Sequence, residues 1–266
     1  MGRTESSDDG PHQPWTVSIG LGVPELLAVL VREGELTATA ASRAGLNPAV
    51  PSCPGWTVGD VVGHLGGVYR WATTILVEER QVAMAPEERA ALREAWPAGD
   101  LLLPWFRDVC RSAVGALQSA DPHLDCWTFL PADSPRAFWA RRLAHETGVH
   151  RADVEAAVGA VSPFPVPVAL DGIEEMLFGF AARKRSIPVD SPRELRLCPT
   201  DAEVGWRVSL APDGVHVSRE RGDGDCRVTG TASSLFLLLW NRPMPTEVEV
   251  SGDHLVIDLW RDSIRV

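Results

Sequence analysis

Apolar residues return at helical spacing along the first part of the chain. Over residues 24–42 the positions Leu26, Leu27, Leu30, Val31 and Leu36 recur at helical spacing, and Pro24 suits a first turn. The proline-dense stretch 47–56 (NPAVPSCPGW) is a loop. Thr57 then reads as an N-cap, with Asp60 three residues on in a capping-box-like arrangement, and a helix follows over 58–79. A helical piece at 86–95 precedes a helix over 101–120 capped by Asp100. Ser134 and Pro135, cap then proline, open a long helix to about residue 158. The segment 161–168 (VSPFPVPV) breaks the pattern, and another helix covers 169–184. Residues 1–22, polar and punctuated by Gly and Pro, read as a disordered lead-in.

After Pro188 the period shortens. β-leaning runs appear at 195–198, 206–210, 215–218 and 226–229, with Asp213-Gly214 as a hairpin signal. Residues 233–240 read as an apolar helix and 247–250 as a short strand, followed by a further helix or strand. Helices first and a mixed segment after argue for two domains divided near 186–192. The expected fold class is α+β, mainly α.

Composition narrows the function. The chain has 266 residues, with 25 basic against 36 acidic side chains, a net charge of −11, and neither half is basic. Nucleic acid and anionic membrane surfaces are therefore poor partners, and a small molecule is the default. No apolar run reaches the roughly 18–20 residues of a spanning helix. The N-terminus lacks a basic-then-apolar signal pattern. The 5 cysteines are widely spaced with no CxxC, which fits a reducing cytoplasm better than a disulfide framework. Lys184 is the only lysine among the basic residues, a composition typical of a GC-rich bacterial genome.

One helix carries the chemistry. Glu146 and His150 lie four apart, so a carboxylate and an imidazole share a face and can reach one metal ion. His64 sits on the second helix between Gly63 and the pair Gly66-Gly67, small residues that let another helix or a ligand come close. If the two helices face each other, His64, Glu146 and His150 form a triad with open coordination positions, the pattern of catalytic zinc. Each piece also has a plainer reading: a Glu/His pair four apart is commonly a solvated surface pair, and a single histidine is commonly a packed or capping one.

The residues Cys53-Pro54-Gly55-Trp56-Thr57-Val58, Asp60 and His64-Leu65 come first. Phe138-Trp139-Ala140-Arg141-Arg142 then runs into residues 145–153 (HETGVHRAD). Together they resemble the mycothiol-dependent maleylpyruvate isomerase family of actinobacteria. Residues 228–232, 239–242 and 250–253 are similar to that family's C-terminal domain. The resemblance implies a DinB-like four-helix bundle followed by a smaller sterol-carrier-like α+β domain. The expected division is 1–22 lead-in, 23–186 metal-binding bundle and 187–266 C-terminal domain. It further implies a divalent metal, zinc first and nickel or iron as alternatives, on His64, Glu146 and His150, with mycothiol as thiol cosubstrate. Two neutral imidazoles and one carboxylate leave a Zn²⁺ site at net +1, which a thiolate would neutralise. It also implies that Arg242 reaches the active site, where it could clamp a substrate carboxylate. The plainer reading of Arg242 is a cation at a helix C-terminus.

The neighbours carry weaker expectations. Asp153 either orients an imidazole or pairs with an arginine. Asp60 is expected to cap, and His145 to be structural or at the rim. Arg151 is expected on the surface, with binding of an anionic substrate as the alternative. Trp56 is expected to pack at the helix entry, and Cys53 to be a buried structural thiol. Walker, dinucleotide-binding and Ser-His-Asp signatures are absent from the sequence. The resulting reading is a thiol-dependent metalloenzyme isomerising, or transferring sulfur to, a small electrophile. The alternative is a non-catalytic metal- or ligand-binding or regulatory module on the same fold. The bundle's surface is compatible with a homodimer, although no heptad seam marks one.

Overall fold

The structure, a computed structural model, describes residues 19–93, 95–243 and 247–265. The expected lead-in lies outside the described residues as far as residue 18. The helical part runs α1 (Val23–Ala44), α2 (Val58–Val77), a short α3 (Pro86–Arg93), α4 (Leu102–Ser119), α5 (Pro135–Ala156) and α6 (Val166–Glu174). The four long helices pack as a bundle, α1 against α5 and α4, and α2 against α4 and α5.

Local chemistry fixes their starts. Thr57 Oγ1 accepts from the Asp60 N–H at 3.2 Å while Asp60 Oδ2 accepts from the Thr57 N–H at 2.8 Å, closing both ends of the box. Ser134 Oγ accepts from the Ala137 N–H at 3.2 Å, and Pro135 follows at the first helical position. Asp100 departs from expectation. It lies inside a 3₁₀ turn, Gly99–Leu101, and caps nothing, because the chain enters α4 already coiled. The helix expected over 169–184 begins earlier, at Val166, and loosens beyond Glu174 into a π-helical stretch, Glu175–Phe180, and a 3₁₀ turn, Ala181–Arg183.

The remainder is a small α+β unit: β1 (Arg193–Pro199), β2 (Trp206–Ala211), β3 (Gly214–Arg219), β4 (Cys226–Gly230), α7 (Ala232–Leu239), β5 (Glu249–Gly252) and α8 (Leu255–Ser263). The sheet order is β3-β2-β1-β4-β5; β1 and β4 run parallel and every other neighbouring pair antiparallel. The hairpin forms as expected, but Ala211 pairs with Gly214, so Pro212-Asp213 is the turn. Gly214 has φ +133°, and a Cβ there would lie 2.3 Å from the Lys184 carbonyl oxygen, so only glycine fits.

α5 is the shared wall. Trp139, Leu143, Ala144 and Val154 face the bundle core, whereas Val149 and Ala152 join the core under the sheet together with α6, α7 and α8. A helix enclosed on every side must pair its polar groups internally. Arg142, His145, Thr147, Arg151 and Asp153 are all buried and each has a partner, with only His145 Nδ1 and Arg151 Nη2 among their buried nitrogens left without one. His145 proves structural, its Nε2 2.5 Å from Asp171 Oδ1, and Asp171 also accepts from Arg141 Nε at 2.8 Å and from the Leu21 N–H at 3.0 Å. Burial acts to raise the Asp171 pKa, but the bond and charge of His145 and the Arg141 charge outweigh it and hold it low. A depressed folded pKa contributes stability that is present above the unfolded value, near 4, and is lost as pH falls toward the folded one. Asp171→Asn should therefore unfold at lower urea at pH 7 and show a flatter loss of stability on acidification; unchanged midpoints across both pH ranges would contradict this.

Candidate metal centre

Three segments converge on one end of the bundle. The first is the loop before α2. There Trp56 N–H donates to the Cys53 carbonyl at 3.0 Å across Pro54-Gly55, and Gly55 takes φ +86°. This turn hangs Cys53 and Trp56 beside the start of α2. The second is α5, which carries Glu146, His150 and Asp153. The third is the end of α7, where Asn241 adopts the left-handed conformation at φ +59° and its side chain donates to the Ile264 carbonyl at 2.7 Å. The reversal turns Arg242 back onto α5.

His64, Glu146 and His150 meet. Glu146 Oε1 lies 3.1 Å from His64 Nε2 and 3.6 Å from His150 Nε2, and the three donor atoms are all within 4.8 Å of one another. Two imidazole nitrogens and a carboxylate oxygen converging with their side chains partly exposed suit a divalent metal with open positions. His150 has the outer support such a ligand needs: its Nδ1 lies 2.8 Å from Asp153 Oδ2. His64 Nδ1 faces instead a donor, Arg93 Nη2, at 3.4 Å, so in the metal-free protein its proton sits on Nε2 and points to Glu146.

Electrostatics follow from these contacts. Burial lowers the His64 pKa, with His150 and Arg93 adding to the effect and Glu146 opposing it. Burial alone would lower His150 as well, but bonds to Asp153, Cys53 and Glu146 overcome it and raise the pKa well above the ordinary value. For Glu146 burial acts upward, and His150, His64 and Arg142 together hold it well below the carboxylate range.

Asp153 takes both of the roles offered by the sequence. Besides His150 it accepts from Arg242 Nε at 2.8 Å, Arg242 Nη2 at 2.5 Å and Ser52 Oγ at 2.6 Å. Arg242 thus reaches the site, but as a bidentate clamp on Asp153, with Nη1 on the Trp240 carbonyl at 2.7 Å. Asp60 caps. Trp56 does more than pack at the helix entry: its ring is 5.0 Å from that of His64 and stacks 6.3 Å from that of His150.

Two expectations are overturned. Cys53 is only partly buried, and its Sγ lies 3.5 Å from Asp153 Oδ2, beside the site. The proline turn holds it at the edge of the bundle core, open on the side of the site. Arg151 is not a surface residue: it is fully buried against Glu33, because α1 and the segment after α5 both close over that face.

A cavity of about 530 Å³ opens beside His64, lined by Trp56, Asp60, Arg89, Arg93 and Trp96 among others. Gly63 and Gly67 of α2 serve its outer wall, and Gly66 lets α4 come close. A Cβ on Gly63 would lie 2.3 Å from Trp96, one on Gly66 2.3 Å from Trp105, and one on Gly67 2.3 Å from the Arg93 carbonyl oxygen. The sequence did not single out Arg89, Arg93 or Trp96, which reach the site only through this close packing.

A family model described as the mycothiol maleylpyruvate isomerase N-terminal domain matches residues 27–155, and one for the C-terminal domain of the same family matches residues 167–258. Among solved structures, the mycothiol-dependent maleylpyruvate isomerase superposes with TM-score 0.60 at 16% identity. A histidine-to-alanine variant of that enzyme gives 0.62 at 15%. Each comparison covers 88% of this chain and 95% of the other. At that identity the likeness is one of fold. No protein of curated function matches the chain. Among the described residues, no helix is long and apolar enough to cross a membrane.

Proposed function

The chain belongs to the mycothiol maleylpyruvate isomerase family, whose two domains it carries in order, and on that premise we propose that it is a metal-dependent enzyme using a low-molecular-weight thiol, mycothiol, on a small anionic electrophile. The observation that carries this reading is the convergence of His64, Glu146 and His150 donor atoms within 4.8 Å beside an open cavity. A divalent metal held by these residues, zinc first, would lower the pKa of a coordinated thiol and orient it as a nucleophile.

The chain's own residues do the rest. Asp153 holds the His150 ring by its outer nitrogen, and Arg242 holds Asp153. Trp56 shields both imidazoles on the loop side. Arg242 is committed to Asp153 and positions rather than clamps. Recognition of a substrate carboxylate falls instead to Arg89 and Arg93, four apart on α3 and both on the cavity wall beside His64. Conjugate addition of the thiol, bond rotation and elimination would isomerise a double bond; addition or displacement alone would make an S-transferase.

Metal analysis of the purified protein, then a thiol titration of its cobalt form, tests the reading. The expected result is about one metal per chain, a visible spectrum that moves when mycothiol is added, and loss of the metal in His64→Ala/His150→Ala. Metal retained in full by the double variant, or a spectrum indifferent to thiol, would overturn it.

A further inference from the structure

We propose that Arg142 is the positioning residue of Glu146, fixing which carboxylate oxygen faces the two imidazoles, and that the π-helical stretch after α6 and Trp240 at the end of α7 hold Arg142 in place. The metal-binding part of this inference rests on the function proposed above; the geometry stands without it.

Glu146 divides its oxygens between two jobs. Oε1 faces His64 and His150, while Oε2 accepts from Arg142 Nη2 at 2.9 Å. Arg142 is itself buried, and its other end donates through Nη1 to Glu175. Two aromatic rings that meet edge to face flank the guanidinium, Phe180 with its centroid 5.2 Å from Cζ and Trp240 at 4.9 Å. Glu175 and Phe180 are the first and last residues of the π-helical stretch, five apart, the spacing that one π turn brings together. Trp240 ends α7, and its carbonyl accepts from Arg242. The short segment 240–242 therefore touches two of the three candidate ligands through intermediaries, Trp240 through Arg142 and Glu146, Arg242 through Asp153 and His150.

The consequence is specific. With Oε2 held by a guanidinium, Glu146 presents one oxygen, and part of its charge is offset by Arg142. Glu175 balances Arg142, so the pair can be buried without leaving a net charge. Releasing Oε2 would let the carboxylate turn or offer both oxygens, which changes ligand number as well as affinity.

The test uses Arg142→Met/Glu175→Gln, which removes both charges of the buried pair together, and Phe180→Leu, which keeps every ion pair and loosens one wall. In metal-free protein, the imidazole ¹⁵N signals of His64 should move in the double variant, because its Nε2 partner is no longer fixed. In cobalt-loaded protein the visible band should change in intensity and metal affinity should fall about 10- to 100-fold, with a smaller loss of the same sign in Phe180→Leu. Imidazole signals unchanged in the double variant would overturn the proposal. So would a cobalt spectrum and affinity equal to wild type in either folded variant. A wild type that takes no metal would overturn the metal part together with the proposed function, while shifted imidazole signals would still support the positioning of Glu146.

Discussion

Asp153→Ala is expected to lower the unfolding free energy of the metal-free protein by about 3–5 kcal/mol. Its carboxylate is fully buried and accepts from His150, from Arg242 twice and from Ser52. Alanine would leave the Arg242 guanidinium, itself mostly buried, without its counter-charge, and would leave His150 without an acceptor at Nδ1. Breaking one side of a buried pair costs far more than the pair is worth when intact. The second effect is on the metal. An imidazole with no outer partner can rotate and change tautomer, and such losses weaken metal binding by roughly 10- to 100-fold. Urea unfolding in the presence of chelator gives the first quantity and chelator competition the second. Arg242→Met should give a smaller loss of both affinity and stability, since it leaves Asp153 still bonded to His150 and Ser52. A metal affinity untouched by either change would mean that His150 is not a ligand, whatever happens to stability.

The parts of this site that were legible from sequence are those set by short-range geometry. Glu146 and His150 share a face because of the helical repeat, and the Thr57–Asp60 box states where α2 begins and hence which way His64 points. The Arg142–Glu146 pair, four apart on the same helix, was not singled out, because nothing local says that the arginine is buried. That depends on Glu175, Phe180 and Trp240, far along the chain. Cys53 went wrong for a related reason: a thiol in a proline turn reads as packing, and only the convergence of loop and α5 puts it beside Asp153. Asp100 shows the limit of capping rules, since a residue with the right side chain caps nothing when the backbone before the helix is already coiled. The later strands were placed to within a few residues because alternation is also local. Their order was not, because the parallel pairing of β1 with β4 is a long-range choice.

Arg151 offers the sharpest separation of structure from chemistry, because it sits one residue from His150 and takes no part in the site. Its Nε donates to Glu33 Oε2 at 2.8 Å, its Nη1 to Glu155 Oε2 at 2.5 Å and to the Ser162 carbonyl at 2.6 Å, and its Cζ lies 4.3 Å from the centre of the Phe164 ring. It therefore ties α1, α5 and the segment leading to α6 into one buried knot. Arg151→Ala should destabilise by about 3–5 kcal/mol, since Glu33 is also fully buried and would keep only the half-exposed Arg32 as counter-charge. At roughly 2–4 °C per kcal/mol for a protein of this size, the thermal midpoint should fall by on the order of 10 °C. Replacing both partners, Arg151→Met with Glu33→Gln, should recover much of that loss, because the fully buried carboxylate is removed with its arginine. Metal affinity in the folded double variant should match wild type. A double variant as unstable as the single one would show that the cost lies in packing against Phe164 and not in the stranded carboxylate of Glu33.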